Sequence, residues 1–143
     1  TGMQLGACLA GMAIENSMLG AAHALANPLT ANYGIVHGEA VGLMLPHVIR
    51  FNGELHADWY GELLSATAGD ENLPRPASGV EGLARFVASL TQQAQLAGRL
   101  AGCGVQRDRL PQLAEEAAKQ WTGTFNPRTV GPAELLALYR AAY

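Results

Sequence analysis

The four histidines are the residues of this 143-residue chain best suited to chemistry. His23 and His37 stand 14 positions apart on either side of a turn signalled by Asn27-Pro28. Two helix ends joined by such a turn can bring both imidazoles to one point. Neutral imidazole is the commonest side-chain metal ligand, so the chemistry such a pair supports is the binding of a divalent ion. A histidine on an apolar helix face is, however, more often a satisfied core residue, and spacing alone favours that plainer reading. His47, behind Pro46 in a helical pattern, reads as structural, and His56, in a polar stretch, as solvated. Glu39 has the chemistry of a general base beside His37, yet a carboxylate in the first turn of a helix is favoured by the dipole alone. Ser17, Ser65, Ser78 and Ser89 have no nucleophile elbow around them. The glycines form no GxGxxG turn between a strand and a helix, so the chain carries no dinucleotide fingerprint of its own.

The elements that must position these residues are helices. No period-2 strand pattern occurs anywhere, and the expected fold class is all-α in a single domain over 1–143. Gly2 to Ala26 reads as one helix, apolar on every face and therefore buried on every face. Its glycines at 6, 11 and 20 point to close backbone approach, because each costs about 1 kcal/mol of helix propensity. It should stop at Asn27-Pro28, since proline disfavours helix at the residue before it. Leu29 to Val36 is then a connection, and His37-Gly38-Glu39 opens a second apolar helix, Ala40 to Asn52, that Pro46 should kink or divide. Asp58 to Ala68 is a short helix, and Gly69 to Gly79 is a loop. Ser78 and Glu81 have the spacing of a capping box, opening a helix to Leu100 with Leu83, Phe86, Val87, Leu90 and Ala94 at helical spacing. Leu110 to Trp121 is amphipathic, with Leu110, Leu113, Ala117 and Trp121 on one face. After a loop, Pro132 takes a first-turn position, and Leu135, Leu138, Tyr139 and Ala142 face inward to the end of the chain.

Composition narrows the function classes. Hydrophobic residues make up 49% and charged residues 15%, which is too apolar for disorder. Nine cations against twelve acids give a net charge of −3, and the cations are scattered rather than gathered in a stripe, so nucleic acid is excluded as a partner. Glu15 is the only charged residue between Thr1 and Gly38, but Asn16, His23, Asn27, Asn32 and His37 break the apolar run below the length of a membrane span, and no cation before Arg50 marks a signal peptide. A membrane partner is therefore not expected. Cys8 and Cys103, without a CxxC, read as buried thiols in a reducing, cytoplasmic setting. The start at Thr1, already in helical pattern, reads as a piece of something longer.

A family then becomes recognisable. Gly11-Met12-Ala13, Asn16, the run from Gly20-Ala21-Ala22-His23 to Asn27-Pro28-Leu29, Tyr33, His37-Gly38-Glu39-Ala40 and Leu45-Pro46-His47-Val48 through Phe51-Asn52 together resemble the iron-containing (group III) alcohol dehydrogenases. Asn126-Pro127-Arg128, Glu134-Leu135 and Leu138-Tyr139 through Ala142 look like the family's C-terminal NPR loop and last helix. The resemblance spans nearly the whole chain, and its double-histidine motif is specific. It implies the helical, metal-binding C-terminal domain of a metal- and NAD(P)-dependent oxidoreductase acting on small alcohols and aldehydes. The α/β domain that holds the nicotinamide and an Asp-x-x-x-His pair would then lie upstream of Thr1.

By the same resemblance His23 and His37 are two ligands of a divalent metal, iron or zinc, with Gly38 letting the backbone come close. The metal would act as a Lewis acid on the substrate oxygen while hydride passes to or from NAD or NADP. Ile14 and Thr122 match positions lining the substrate pocket. Asn27 stands where many members carry a second histidine near nicotinamide and substrate, and an amide there cannot titrate. Its side chain should share the cleft with His23, one helical turn away. The alternatives on this scaffold are a maleylacetate reductase or glycerol dehydrogenase relative, and, from another class, a non-catalytic helical interaction domain. Without the upstream helices it would pack against, the buried-looking first helix would present an apolar face, so self-association is expected, as a homodimer or a higher oligomer.

Overall fold

A computed structural model describes residues 2–66 and 79–143. Seven α-helices, Gly2–Ser17 (α1), Ala21–Tyr33 (α2), His37–Gly53 (α3), Ala57–Ala66 (α4), Gly79–Gln93 (α5), Leu110–Ala118 (α6) and Pro132–Ala141 (α7), are joined by turns and three short 3-10 segments, at Leu100–Cys103, Arg107–Arg109 and Trp121–Phe125. No strand occurs among the described residues, so the fold is all-α as the sequence pattern requires. The expected capping box at Ser78 and nearly all of the loop before it lie outside the described residues.

Helix α2 is the centre of the core. Ala21, Ala24, Leu25, Ala26 and Leu29 are fully buried, and α3, α6, α7 and the Trp121–Phe125 turn pack around them. The small residues let those neighbours approach closely. The phenol of Tyr139 on α7 reaches into this packing and donates to the Leu25 carbonyl at 2.6 Å. Leu135, Leu138, Tyr139 and Ala142 are all buried, as their spacing predicted. A smaller cluster of Ile49, Leu64, Leu83 and Ala84 joins α3, α4 and α5. There Gly53 is required by packing, since a Cβ would lie 2.3 Å from the Val80 side chain.

The structure corrects several expectations. The first 26 residues are two helices, broken at Met18 (φ +63°) and bent by 109°. Helix α1 buries no residue at all, and Gly6 and Gly11 meet nothing, because no other element among the described residues covers them. No single helix among the described residues is long and apolar enough to cross a membrane, although the bent pair α1 and α2 reaches that length and composition together. Pro28 does not end α2. Its ring is buried in the core and the helix continues to Tyr33, where Gly34 (φ +66°) supplies the left-handed cap and its N–H bonds the Thr30 carbonyl. Pro46 likewise lies inside α3 without dividing it.

Helix α5 stops at Gln93, and Gln95 (φ +57°) turns the chain, so Leu90 and Ala94 face outward rather than onto the core. Helix α6 ends at Ala118, which leaves Trp121 to open a 3-10 turn with 59% of its surface exposed. Cys8 rides exposed on α1, and only Cys103 is partly buried, where burial and the nearby Glu39 push its thiol pKa up.

Candidate metal centre

His23 lies in the first turn of α2 and His37 is the first residue of α3. Their rings lie with centroids 5.4 Å apart and tilted 45°. Two imidazoles bound through nitrogen at about 2.0–2.1 Å to one tetrahedral ion have ring centres about 5 Å apart, so the spacing fits a shared cation. Burial, and secondarily the neighbouring His37, lowers the pKa of His23 and favours the neutral form that ligates. No group of three or more His, Cys, Asp or Glu suited to a metal occurs among the described residues. Among the described residues the candidate centre is thus these two imidazoles alone.

Glu39 is used otherwise. Its Oε1 accepts the Ala97 N–H at 3.3 Å and ties the segment after α5 to the start of α3, as a structural carboxylate does. A Cβ on Gly38 would meet no atom of the described residues within 4 Å. His47 is half-buried in a cavity of about 470 Å³ between α3 and α5, and His56 stacks on Trp59 at 4.2 Å.

The other residues singled out by sequence divide. Asn27, one turn after His23, turns its amide to the chain beyond α6, where Nδ2 donates to Gln120 Oε1 at 2.8 Å. Thr122, in the adjoining 3-10 turn, is only 4% exposed and its hydroxyl has no partner among the described residues. A buried unpaired hydroxyl costs about 1–3 kcal/mol, and such an orphan is a natural contact for a polar ligand. Ile14 sits on α1, 40% exposed and outside the core that carries the histidines.

Residue patterns did not disclose the polar anchor behind the pair. Asn126 Oδ1 accepts the Ala21 N–H at 3.2 Å, so it caps α2, whose own N-cap position is a glycine. The same side chain exchanges two hydrogen bonds with Asn52, near the end of α3. Gly20 makes room for it, since a Cβ there would lie 3.1 Å from Asn126 Oδ1. The available signals were Asn126 itself, in the Asn126-Pro127-Arg128 motif, and Asn52, an amide in a largely apolar helical run.

The C-terminal model of the Fe-containing alcohol dehydrogenase family matches residues 1–143. The chain belongs to this family. A 1,3-propanediol dehydrogenase of Klebsiella pneumoniae is 31% identical over 99% of this chain and 36% of its own length. A lactaldehyde reductase of Escherichia coli K12 is 28% identical over 99% of this chain and 37% of its own length. The crystal structure of a 1,3-propanediol oxidoreductase superposes with a TM-score of 0.84 at 29% identity, covering 94% of this chain and 35% of that one. The chain therefore spans a little over a third of the length of these relatives. In its fold it corresponds to the helical C-terminal part of the family.

Proposed function

We propose that this chain is the metal- and substrate-binding helical part of an NAD(P)-linked alcohol dehydrogenase, which interconverts a small alcohol with its aldehyde or ketone. The observation that carries the reading is the meeting of two imidazoles from the starts of α2 and α3, in a chain whose full length matches the family. His23 and His37 supply two of the ligands to a divalent ion. When bound, that ion supplies Lewis acidity at the substrate oxygen. Asn27 holds a hydrogen bond of fixed charge beside the pair, with its orientation set by Gln120. The unpaired hydroxyl of Thr122 faces the substrate side, and Ile14 contributes an apolar wall once α1 is covered. The nicotinamide, NAD or NADP, is held by elements outside these 143 residues.

The test is metal analysis and an NAD(P)H-coupled alcohol panel on the full-length protein. His23→Ala and His37→Ala should each strip the metal and abolish turnover. Retention of stoichiometric metal in both variants would sink the assignment. A half-site of two imidazoles also predicts that the 143-residue chain alone binds zinc weakly and turns over no alcohol.

A further inference from the structure

We propose that Asn126 is the positioning residue that sets the His23–His37 spacing, an inference that rests on the metal-pair reading above. His23 is two residues past Ala21, so whatever fixes the first turn of α2 also fixes its imidazole. At its far end α2 is tied to α3 by the short turn through Gly34. At its near end the tie is Asn126: Oδ1 accepts from Ala21 N–H at 3.2 Å and from Asn52 Nδ2 at 3.1 Å, while Nδ2 donates to Asn52 Oδ1 at 2.8 Å and to the Arg128 carbonyl at 2.6 Å. All of the carboxamide's two-donor, two-acceptor capacity is used. Asn52, 2% exposed, and His37 stand near opposite ends of α3, about 22 Å of helix apart. Asn126 thus clamps the first turn of α2 to the α3 rod, and because that rod carries His37 the clamp fixes where the His23 ring lies relative to it.

Two further features show that the anchor is built rather than incidental. Gly20 leaves the gap that Oδ1 fills, since a Cβ there would crowd it at 3.1 Å. Arg128 clamps the Asn126 segment to the same end of α3. Its guanidinium lies 3.8 Å over the Phe51 ring, and Nη1 donates to the Phe51 carbonyl and to Glu54 Oε2, each at 2.6 Å. Asparagine is the residue type required. Leucine has the shape but would orphan Ala21 N–H and both polar atoms of Asn52. Aspartate keeps the cap on Ala21 N–H, but it loses both donors and sets a carboxylate oxygen against Asn52 Oδ1 and the Arg128 carbonyl.

The experiment is NMR on the 143-residue chain, reading the cross-peak between the His23 and His37 ring protons without metal, alongside zinc titration. Asn126→Leu should erase the ring–ring cross-peak and weaken zinc binding about tenfold, the lower end of the range for lost ligand supports. Asn126→Asp, which keeps the cap on Ala21 but loses the bonds to Asn52 Oδ1 and Arg128, should weaken both partially. Gly20→Ala, which crowds Oδ1 without removing a polar group, should weaken both partially, and it decides the matter if Asn126→Leu does not fold. Leu113→Ala, a destabilising change in α6, should leave both readings intact below its unfolding temperature. The proposal is overturned if Gly20→Ala and a folded Asn126→Leu keep the cross-peak, or if Leu113→Ala loses it equally. Unchanged zinc affinity in His23→Ala would instead sink the metal reading, and the cross-peak would still decide the role of Asn126.

Discussion

Helices α1 and α2 are neighbours in sequence with nearly the same composition, rich in alanine and leucine and without a cation, yet α2 is the most buried element of the chain and α1 the least. The difference is in what each is tied to. Helix α2 is held by Asn126 at its start, by Tyr139 at Leu25 and by Gln120 at Asn27. The side-chain hydrogen bonds of α1 are local, from Asn16 and Ser17 to carbonyls one turn back. An apolar helix needs a cover, but composition does not say which element provides it. Met3 is 88% exposed and Leu9 56%, and an apolar face of that extent promotes association.

The largest effect expected from this contrast is on stability. Leu25→Ala, at a fully buried position, should cost about 2–5 kcal/mol. Leu9→Ala should fall within about 0.5 kcal/mol of zero. Urea unfolding followed by circular dichroism measures both, and equal losses would mean that α1 is packed in solution. Light scattering would then tell whether a second copy provides the cover. Association that Leu5→Gln/Leu9→Gln/Met12→Gln abolishes would place the contact on α1.

Glycines sharpen the comparison. Gly53→Ala drives a methyl into Val80 and should destabilise by about 1–3 kcal/mol. Gly11→Ala, on the open face of α1, should stabilise the chain by up to about 1 kcal/mol through helix propensity. Thermal melts of the two variants should therefore move in opposite directions. A shift of the same sign in both would show that Gly11 is in close contact after all.

The legible and illegible parts of the sequence follow the same division. Helix α3 was legible as an apolar run opened by His37-Gly38-Glu39. Periodicity placed α6 and α7 and the inward face of Leu135, Leu138 and Tyr139, because the outer faces of those helices are polar enough to mark the inner ones. It failed across residues 2–33, where both faces are apolar and nothing in the pattern marks a break. After the break at Met18, the helix restarts at Ala21 under a capping side chain 105 positions away from that residue. Proline misled for a related reason: a buried ring at Pro28 gains enough packing to offset a lost backbone bond. The histidine pair was visible in spacing, and the family resemblance gave it meaning. Gln120 was not, and Asn126 was visible only as part of a motif and not in its role, since their partners are brought together only by the tertiary fold.

A mid-sized effect separates the pair from its polar neighbour. Asn27→Ala removes the bond to Gln120 and should cost about 1 kcal/mol. It should leave zinc affinity unchanged, whereas His23→Ala should do the reverse. In the full-length protein Asn27→His should add an ionisation to the pH–rate profile between about pH 6 and 8, near the ordinary histidine value, with metal content retained. Metal loss in Asn27→Ala with metal kept in His23→Ala would mean that the register of the site is wrong.

The smallest effects are electrostatic, and they belong to α3 and α5 rather than to α1. His47 has its pKa lowered from 6.5, first by burial and then by Arg50. A depressed histidine binds its proton more readily in the unfolded chain, so its contribution is fully present above pH 6.5 and is lost as pH falls below that value. Glu81 is held down to about 2, from 4.5, by hydrogen bonds from Arg50 and then Arg85. Its contribution is complete above pH 4.5 and disappears as pH falls toward 2. Acid unfolding should therefore weaken the chain in two stages, with His47→Gln flattening the first and Glu81→Gln the second. The two stages should also differ in salt response. The Arg50–Glu81 pair is 40% and 48% exposed and screened by solvent, so 0.5 M salt (roughly a 4 Å Debye length) should shrink the second stage and leave the first largely in place. A single stage that both substitutions leave untouched would mean that the acid sensitivity of the fold resides elsewhere.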